Sequence, residues 1–154
     1  MADWTIKTLT YGIIEVKKEQ LTTGLDVGTP LTVPYLGFYM TDGKRKLLCD
    51  TGINAKYIVD GRAWAGCAAR GGEAWVRKSL EKVGVTPDEI DMVIYTHLHN
   101  DHAGNCHLFH KAVHVFQDDE WKELLDPLPS MMIRGDFDQS LIAQLKGLEC
   151  MKVV

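Results

Sequence analysis

The chain has 154 residues, 45% of them hydrophobic and 25% charged, which excludes a disordered polymer and sets one ordinary globular domain as the expectation. Its formal net charge is −4 with no basic stripe, which argues against a nucleic-acid-binding protein. No apolar run approaches the ~20 residues of a bilayer span, and Met1-Ala2-Asp3-Trp4 lacks the basic flank and apolar stretch of a secretion signal. A soluble, cytoplasmic protein with no membrane partner is therefore expected.

Trp4 to Val16 is rich in β-branched and aromatic residues and reads as two short strands with a bend near Gly12. Leu21 to Pro30 is a loop of Gly, Thr and Pro. Val33 to Met40 is an apolar run of strand length, Asp42-Gly43 makes a tight turn, and Arg45 to Cys49 returns as the hairpin partner. Asp50-Thr51-Gly52 closes that strand and opens an irregular, glycine-rich loop reaching Gly72. Glu73 to Val83 carries a helical stripe of Trp75, Val76, Leu80 and Val83, with Gly84 as its stop. Thr86-Pro87-Asp88-Glu89 is a capping box with proline at the first helical position. Met92 to Tyr95 is short and wholly apolar, the signature of a central strand.

Ala112 to Phe116 is a further strand, and Asp118 to Leu125 a short helix whose acidic first turn suits the helix dipole. Pro127 and Pro129 break it. Phe137, Leu141, Ile142 and Leu145 form another helical stripe, ended by Gly147. Cys150 to Val154 reads as the opening of a strand in which the chain stops. The expectation is a single domain over residues 1–154, cut short at its C-terminus.

Cys49, Cys67, Cys106 and Cys150 form no CxxC pair, which excludes a zinc ribbon or thioredoxin motif and leaves buried, reduced thiols. The histidines are more informative, because all six fall between His97 and His114. Thr96 to His102 is an HxHxDH string directly after an apolar strand. In extended backbone, residues two apart point to the same side, so His97 and His99 can converge on one ion at ~2.0–2.1 Å. If the chain then turns into a helix, Asp101 and His102 leave in new directions and can serve a second ion. Ala103-Gly104 suits a crowded strand-to-helix corner. Such donors accept zinc, iron or manganese.

THLHNDHAGN resembles the metal-binding signature of the metallo-β-lactamase-fold hydrolases. The hairpin ending in LLCDTG resembles the family's segment that closes in a D-T-G turn beneath the metals. Together with EKVGVTPDEIDMVIYTHLHNDHAGN and the later HVFQDDEW, it looks most like the N-acyl-homoserine-lactonase-like branch, although glyoxalase II thioesterases and RNA-processing members share HxHxDH. The resemblance runs from about Val33 to Val154. It implies an α/β fold, the N-terminal half of an αββα sandwich, with a mixed sheet and flanking helices.

Residue by residue, the resemblance implies His97 and His99 on a first zinc, Asp101 and His102 on a second, and Asp50 as an acid behind the ligand histidines. It implies attack by a metal-bound hydroxide on a small-molecule lactone or related ester, with Asp101 also passing a proton to the leaving alkoxide. The family's third histidine, bridging aspartate and final histidine have no counterpart, since no histidine follows His114. A fragment of a full hydrolase, a degenerate chain and a partner-completed site all fit that departure. A glyoxalase II-like thioester hydrolase and an inactive metal-binding fragment are the rival functions. An exposed strand at Val153-Val154 leaves a homo-oligomer open.

Around the motif, His107 and His110 read as surface or packed histidines and His114 as a satisfied buried one. Asn105 is expected to cap or bond locally. Cys106, four residues after His102, is within reach of a metal only if it departs from the family pattern. Tyr35, Phe38, Tyr39 and Trp75 read as core. Tyr57 and Trp64, in the glycine-rich stretch beside the D-T-G turn, are the candidate substrate contacts.

Overall fold

The structure is a computed structural model that describes residues 3–148 and 151–154. It contains one seven-stranded sheet in the order β4-β1-β2-β3-β5-β6-β7. The first part is an antiparallel meander: β1 (Thr5–Lys17), β2 (Pro30–Thr41) and β3 (Lys46–Cys49), with β4 (Ala68–Gly71) on the outer edge of β1. Beyond β3 the sheet turns parallel through β5 (Met92–Ile94), β6 (Val113–Phe116) and β7 (Met151–Val153). Parallel neighbours need crossovers, and these carry α1 (Glu73–Glu81), α2 (Asn100–Ala103), α3 (Asp118–Leu125), α4 (Pro129–Arg134) and α5 (Ser140–Lys146).

The Asp42-Gly43 hairpin forms as expected. The Asp42 carboxylate accepts the amides of Lys44 and Arg45 at 3.0 and 2.8 Å and the Arg45 guanidinium at 2.7 Å. The Thr86 capping box also forms, around a single 3-10 turn over Pro87–Glu89. Three expectations change. Trp4 to Val16 is one long strand, because a register shift between Thr10 and Gly12 lets pairing with β2 continue through the irregularity. A side chain at Gly12 would meet the Arg70 carbonyl at 2.3 Å, so only glycine fits there. β4 interrupts the stretch read as loop; its Ala-Ala-Arg-Gly has no β-branched residue and is extended through pairing with β1. Pro129 starts a helix, where its missing N–H costs nothing.

One face of the sheet carries the core. Leu48, Val93, His114 and Phe116 point beneath the helices and meet Val76 and Leu80 of α1, Leu124 of α3, and Leu141 and Leu145 of α5. Each of these apolar side chains contributes about 1.5–3 kcal/mol when fully buried, His114 excepted. The other face presents rows set by the strand register, Ile6–Met40–Leu47–Met92–Val113 and Phe38–Cys49–Ile94–Val115, half-buried or exposed.

This corrects two core assignments: Phe38 is exposed and Trp75 is half-buried, the first on the open face and the second on the rim of α1. Tyr35 and Tyr39 are buried as expected. Cys106 is a buried thiol, but Cys49 and Cys67 are only half-buried, and Cys150 lies outside the described residues. His107 and His110 are exposed. His114 is buried and satisfied on both ring nitrogens. Its Nε2 faces the Phe109 carbonyl at 2.9 Å and must donate, so Nδ1 accepts the Tyr95 hydroxyl at 2.8 Å.

Candidate metal centre

The motif leaves the sheet at the C-terminal end of β5, where open α/β sheets place their binding clefts. The Tyr95 amide still pairs with the Val115 carbonyl of β6 at 2.9 Å, residues 96–99 pair with no strand, and the short helix α2 follows at once, with His99 as its N-cap. Gly104 makes the corner possible: a Cβ there would meet backbone atoms of Asn100, Asn54 and Gly52 at 2.4–2.9 Å. The expected tight corner is thus present, and its crowding comes from the Asn100 carbonyl of α2 and from the loop at Gly52 and Asn54.

Asp50 is the organising acid. It follows β3 in the left-handed region (φ 61), a conformation Asp tolerates better than most residues, and its side chain is buried. One carboxylate oxygen accepts the Thr96 amide at 2.8 Å. The other accepts the Thr96 hydroxyl at 2.8 Å and faces His102 Nδ1 at 2.9 Å. A carboxylate only accepts, so Nδ1 carries the proton and the lone pair of His102 stands on Nε2. The Thr96 hydroxyl, having given its proton to Asp50, accepts from His97 Nδ1 at 3.0 Å, which leaves His97 Nε2 free as well. Two imidazoles thus carry their lone pairs on Nε2 before any ion binds.

The ligand atoms of His97, Asp101 and His102 lie within 4.8 Å of one another. An ion with donors at ~2.0–2.2 Å needs them no more than about 4 Å apart, which side-chain rotation supplies, so this donor set fits zinc. His99 stands beside that set rather than in it. Its ring centroid is 4.5 Å from that of His97 and 4.7 Å from that of Phe137, edge-on to the latter. Cys106 points elsewhere, with its sulfur 3.7 Å from the Gln144 side chain.

The charges shape the rings differently. For His97, burial together with the neighbouring His102 and His99 lowers the pKa and favours the neutral, ligating form. For His102, burial pulls the other way, but the Asp50 hydrogen bond and the Asp101 and Asp50 charges prevail and raise it. Tyr35 is pushed up to about 12 by burial and the Asp101 charge, so it remains a phenol at neutral pH.

Asn105 was expected to bond locally. Its side-chain NH2 instead reaches about fifty residues back, to the carbonyls of Thr51, Gly52 and Ile53 at 2.9–3.1 Å. The corner at Gly104 brings it against the D-T-G loop, so its partners are set by packing and not by chain proximity. Thr51 completes the clasp through the His102 carbonyl at 2.9 Å.

Asp101 and His102 of the cluster, together with His99, line a cleft of about 740 Å³. Tyr57 and Trp64, the candidate contacts, both line it, as do Val33, Tyr35 and Phe38 of β2. The Tyr57 hydroxyl donates to Asp138, and Lys56 bridges to the same carboxylate at 2.7 Å, so the loop is tied to the start of α5. Sequence reasoning missed the α4–α5 corner. There the Asp136 carbonyl accepts the Asn100 amide at 2.9 Å, and Phe137, assigned to a helix, packs on His99 ahead of α5. No periodic pattern marks that corner.

The structure is thus an α/β protein whose mixed sheet carries a histidine–carboxylate cluster at the ends of its parallel strands, beside an open cleft. The chain belongs to the metallo-beta-lactamase superfamily, whose family model matches residues 35–129. Among curated relatives, N-acyl homoserine lactonase AttM of Azorhizobium caulinodans is 26% identical over 149 residues, covering 90% of this chain and 56% of the relative. Among solved structures, an N-acyl homoserine lactone hydrolase with N-hexanoyl-L-homoserine bound at its metal centre superposes with a TM-score of 0.75 at 20% identity, covering 97% of this chain and 58% of that one. The dizinc lactonase AidC superposes with a TM-score of 0.71 at 15% identity, covering all of this chain and 59% of the other. The chain thus spans a little over half the length of these relatives. No helix among the described residues is long and apolar enough to cross a membrane.

Proposed function

We propose that this chain carries the metal-binding half of a zinc-dependent, lactonase-like hydrolase that opens a lactone or similar small-molecule ester. The observation that carries the reading is the convergence of His97, Asp101 and His102 beside a largely apolar cleft that Asp101 and His102 line. His97 and His99 would hold one zinc ion, and Asp101 and His102 a second. When bound, the metal acidifies a water and polarises the ester carbonyl.

The chain's own residues do the rest. Asp50 and Thr96 keep the Nε2 atoms of His97 and His102 deprotonated and aimed inward. Asp101, half-buried and lining the cleft, takes the proton that the attacking water gives up and passes it to the leaving alkoxide. Tyr57, Trp64, Val33 and Phe38 offer apolar surface to the acyl part of the substrate. The free thiols of Cys49, Cys67 and Cys106 suit the reducing cytoplasm in which we place the protein.

Four side chains shared by two ions leave each below the usual four ligands, so these 154 residues alone are expected to bind zinc weakly and to turn over little. The test reads the gene beyond the Val154 codon and assays the longest open frame that contains this sequence. Zinc-dependent opening of N-hexanoyl-homoserine lactone, abolished by His97→Ala and by Asp101→Ala, is the expected result. No zinc uptake by that protein would refute the reading, and a preference for a thioester would move it to the glyoxalase II-like class.

A further inference from the structure

Between Tyr95 and α2 the backbone has no strand neighbour, yet alternate amides are each fastened by an acceptor from a different segment. Thr96 N–H goes to the Asp50 carboxylate at 2.8 Å, Leu98 N–H to Glu120 Oε2 at 2.9 Å, and Asn100 N–H to the Asp136 carbonyl at 2.9 Å. The two residues between these anchors are His97 and His99. In extended backbone, amides two apart point one way and intervening side chains have their own fixed directions. The three acceptors therefore do what a neighbouring strand does elsewhere, and they set the spacing of the two histidines.

Glu120 supplies the middle anchor, and it does so with a side chain. It sits in the first turn of α3, whose position follows from the pairing of β6 with β5. The Leu98 side chain is fully buried, so its amide has little access to replacement water. A hydrogen bond to a carboxylate is among the stronger kinds available to an amide. It fixes the peptide that joins His97 to Leu98, and with it the directions in which His97 and His99 leave the chain.

We infer that Glu120 is a positioning residue for the metal centre: by holding the Leu98 amide it sets the relative placement of His97 and His99. The inference rests on the proposal that these histidines bind metal. Three variants separate reach from charge. Glu120→Gln keeps an acceptor oxygen at the same reach, Glu120→Asp keeps the charge in the first turn of α3 but falls one methylene short, and Glu120→Ala removes both.

The probe is cobalt(II), read by its visible absorption during titration of the protein encoded by the longest open frame that contains this sequence, alongside amide hydrogen exchange at Leu98 without metal. We expect Glu120→Ala and Glu120→Asp to weaken cobalt binding by about 10–100-fold, the range typical of groups that orient ligands, and to change the absorption envelope. Leu98 exchange should accelerate in both, while Glu120→Gln stays close to wild type in both readouts. A contribution made only through the dipole of α3 would give the reverse order, with Asp unaffected and Gln impaired, and would overturn the inference. Wild-type affinity and spectrum in all three would overturn it too, and because Asp and Gln disturb packing little, this comparison survives an unfolded alanine variant. Absence of any cobalt spectrum in the wild type would overturn the metal-site reading and this inference with it, whereas failure of Glu120 alone leaves that reading standing.

Discussion

Asp50→Asn changes one atom and reverses a proton. The carboxylate accepts the Thr96 amide and hydroxyl and faces the protonated Nδ1 of His102 at 2.9 Å. An asparagine can still accept the Thr96 amide, but its NH2 then faces His102 and must donate. The imidazole answers by moving its proton to Nε2, the atom that a metal needs. Asparagine tolerates the left-handed backbone at this position, so the effect is not confused with strain. Loss of an orienting carboxylate costs about 10–100-fold in metal affinity, or about 1.4–2.8 kcal/mol. Replacing a buried charged acceptor costs a further ~1–2 kcal/mol of folding stability. For a chain of this size that is a fall of several degrees in melting temperature, at about 2–4 °C per kcal/mol. Titration with zinc against a chromophoric chelator gives the affinity, and calorimetry of the metal-free protein gives the stability. The His102 pKa, which Asp50 helps to raise, should fall in the variant and be visible by NMR titration. Unchanged zinc affinity with His102 still protonated on Nδ1 would refute the orienting role.

Three further outcomes follow from the same contacts. Burial lowers the His114 pKa below its ordinary 6.5, so the folded state binds fewer protons than the unfolded one; stability should be full above that value and fall as the pH drops through it. His114→Gln should flatten the acid limb between about pH 6.5 and 5 in urea denaturation, and an unchanged slope would refute the assignment. Gly104→Ala should destabilise by about 1–3 kcal/mol and loosen the corner, because the clash is with backbone of α2 and of the loop after Asp50, read as a lower urea midpoint. Trp64→Ala should leave the melting temperature and zinc affinity unchanged, since the side chain is exposed, but raise KM for long-chain acyl lactones more than for short ones; equal effects on both would remove it from the cleft's acyl surface.

What was legible in the sequence was local. The hairpin at Asp42-Gly43, the capping box at Thr86, the helix from Asp118 and the strand before the histidines each rest on turn, cap or periodicity signals confined to a few residues. The HxHxDH string was legible as a local pattern, but in the fold His97, Asp101 and His102 come together while His99 stands beside them. Tertiary structure decided what contacts across the chain decide. β4 exists because β1 pairs with it, and Pro129 starts a helix because the chain turns there.

The same holds at the site. Asn105 finds its partners in the D-T-G loop, Phe137 reaches His99 from the corner between α4 and α5, and Glu120 holds Leu98 across 22 residues. A sequence carries its short-range preferences openly. The partners of a buried amide or imidazole lie wherever the fold brings an acceptor, and no period in the chain marks that place.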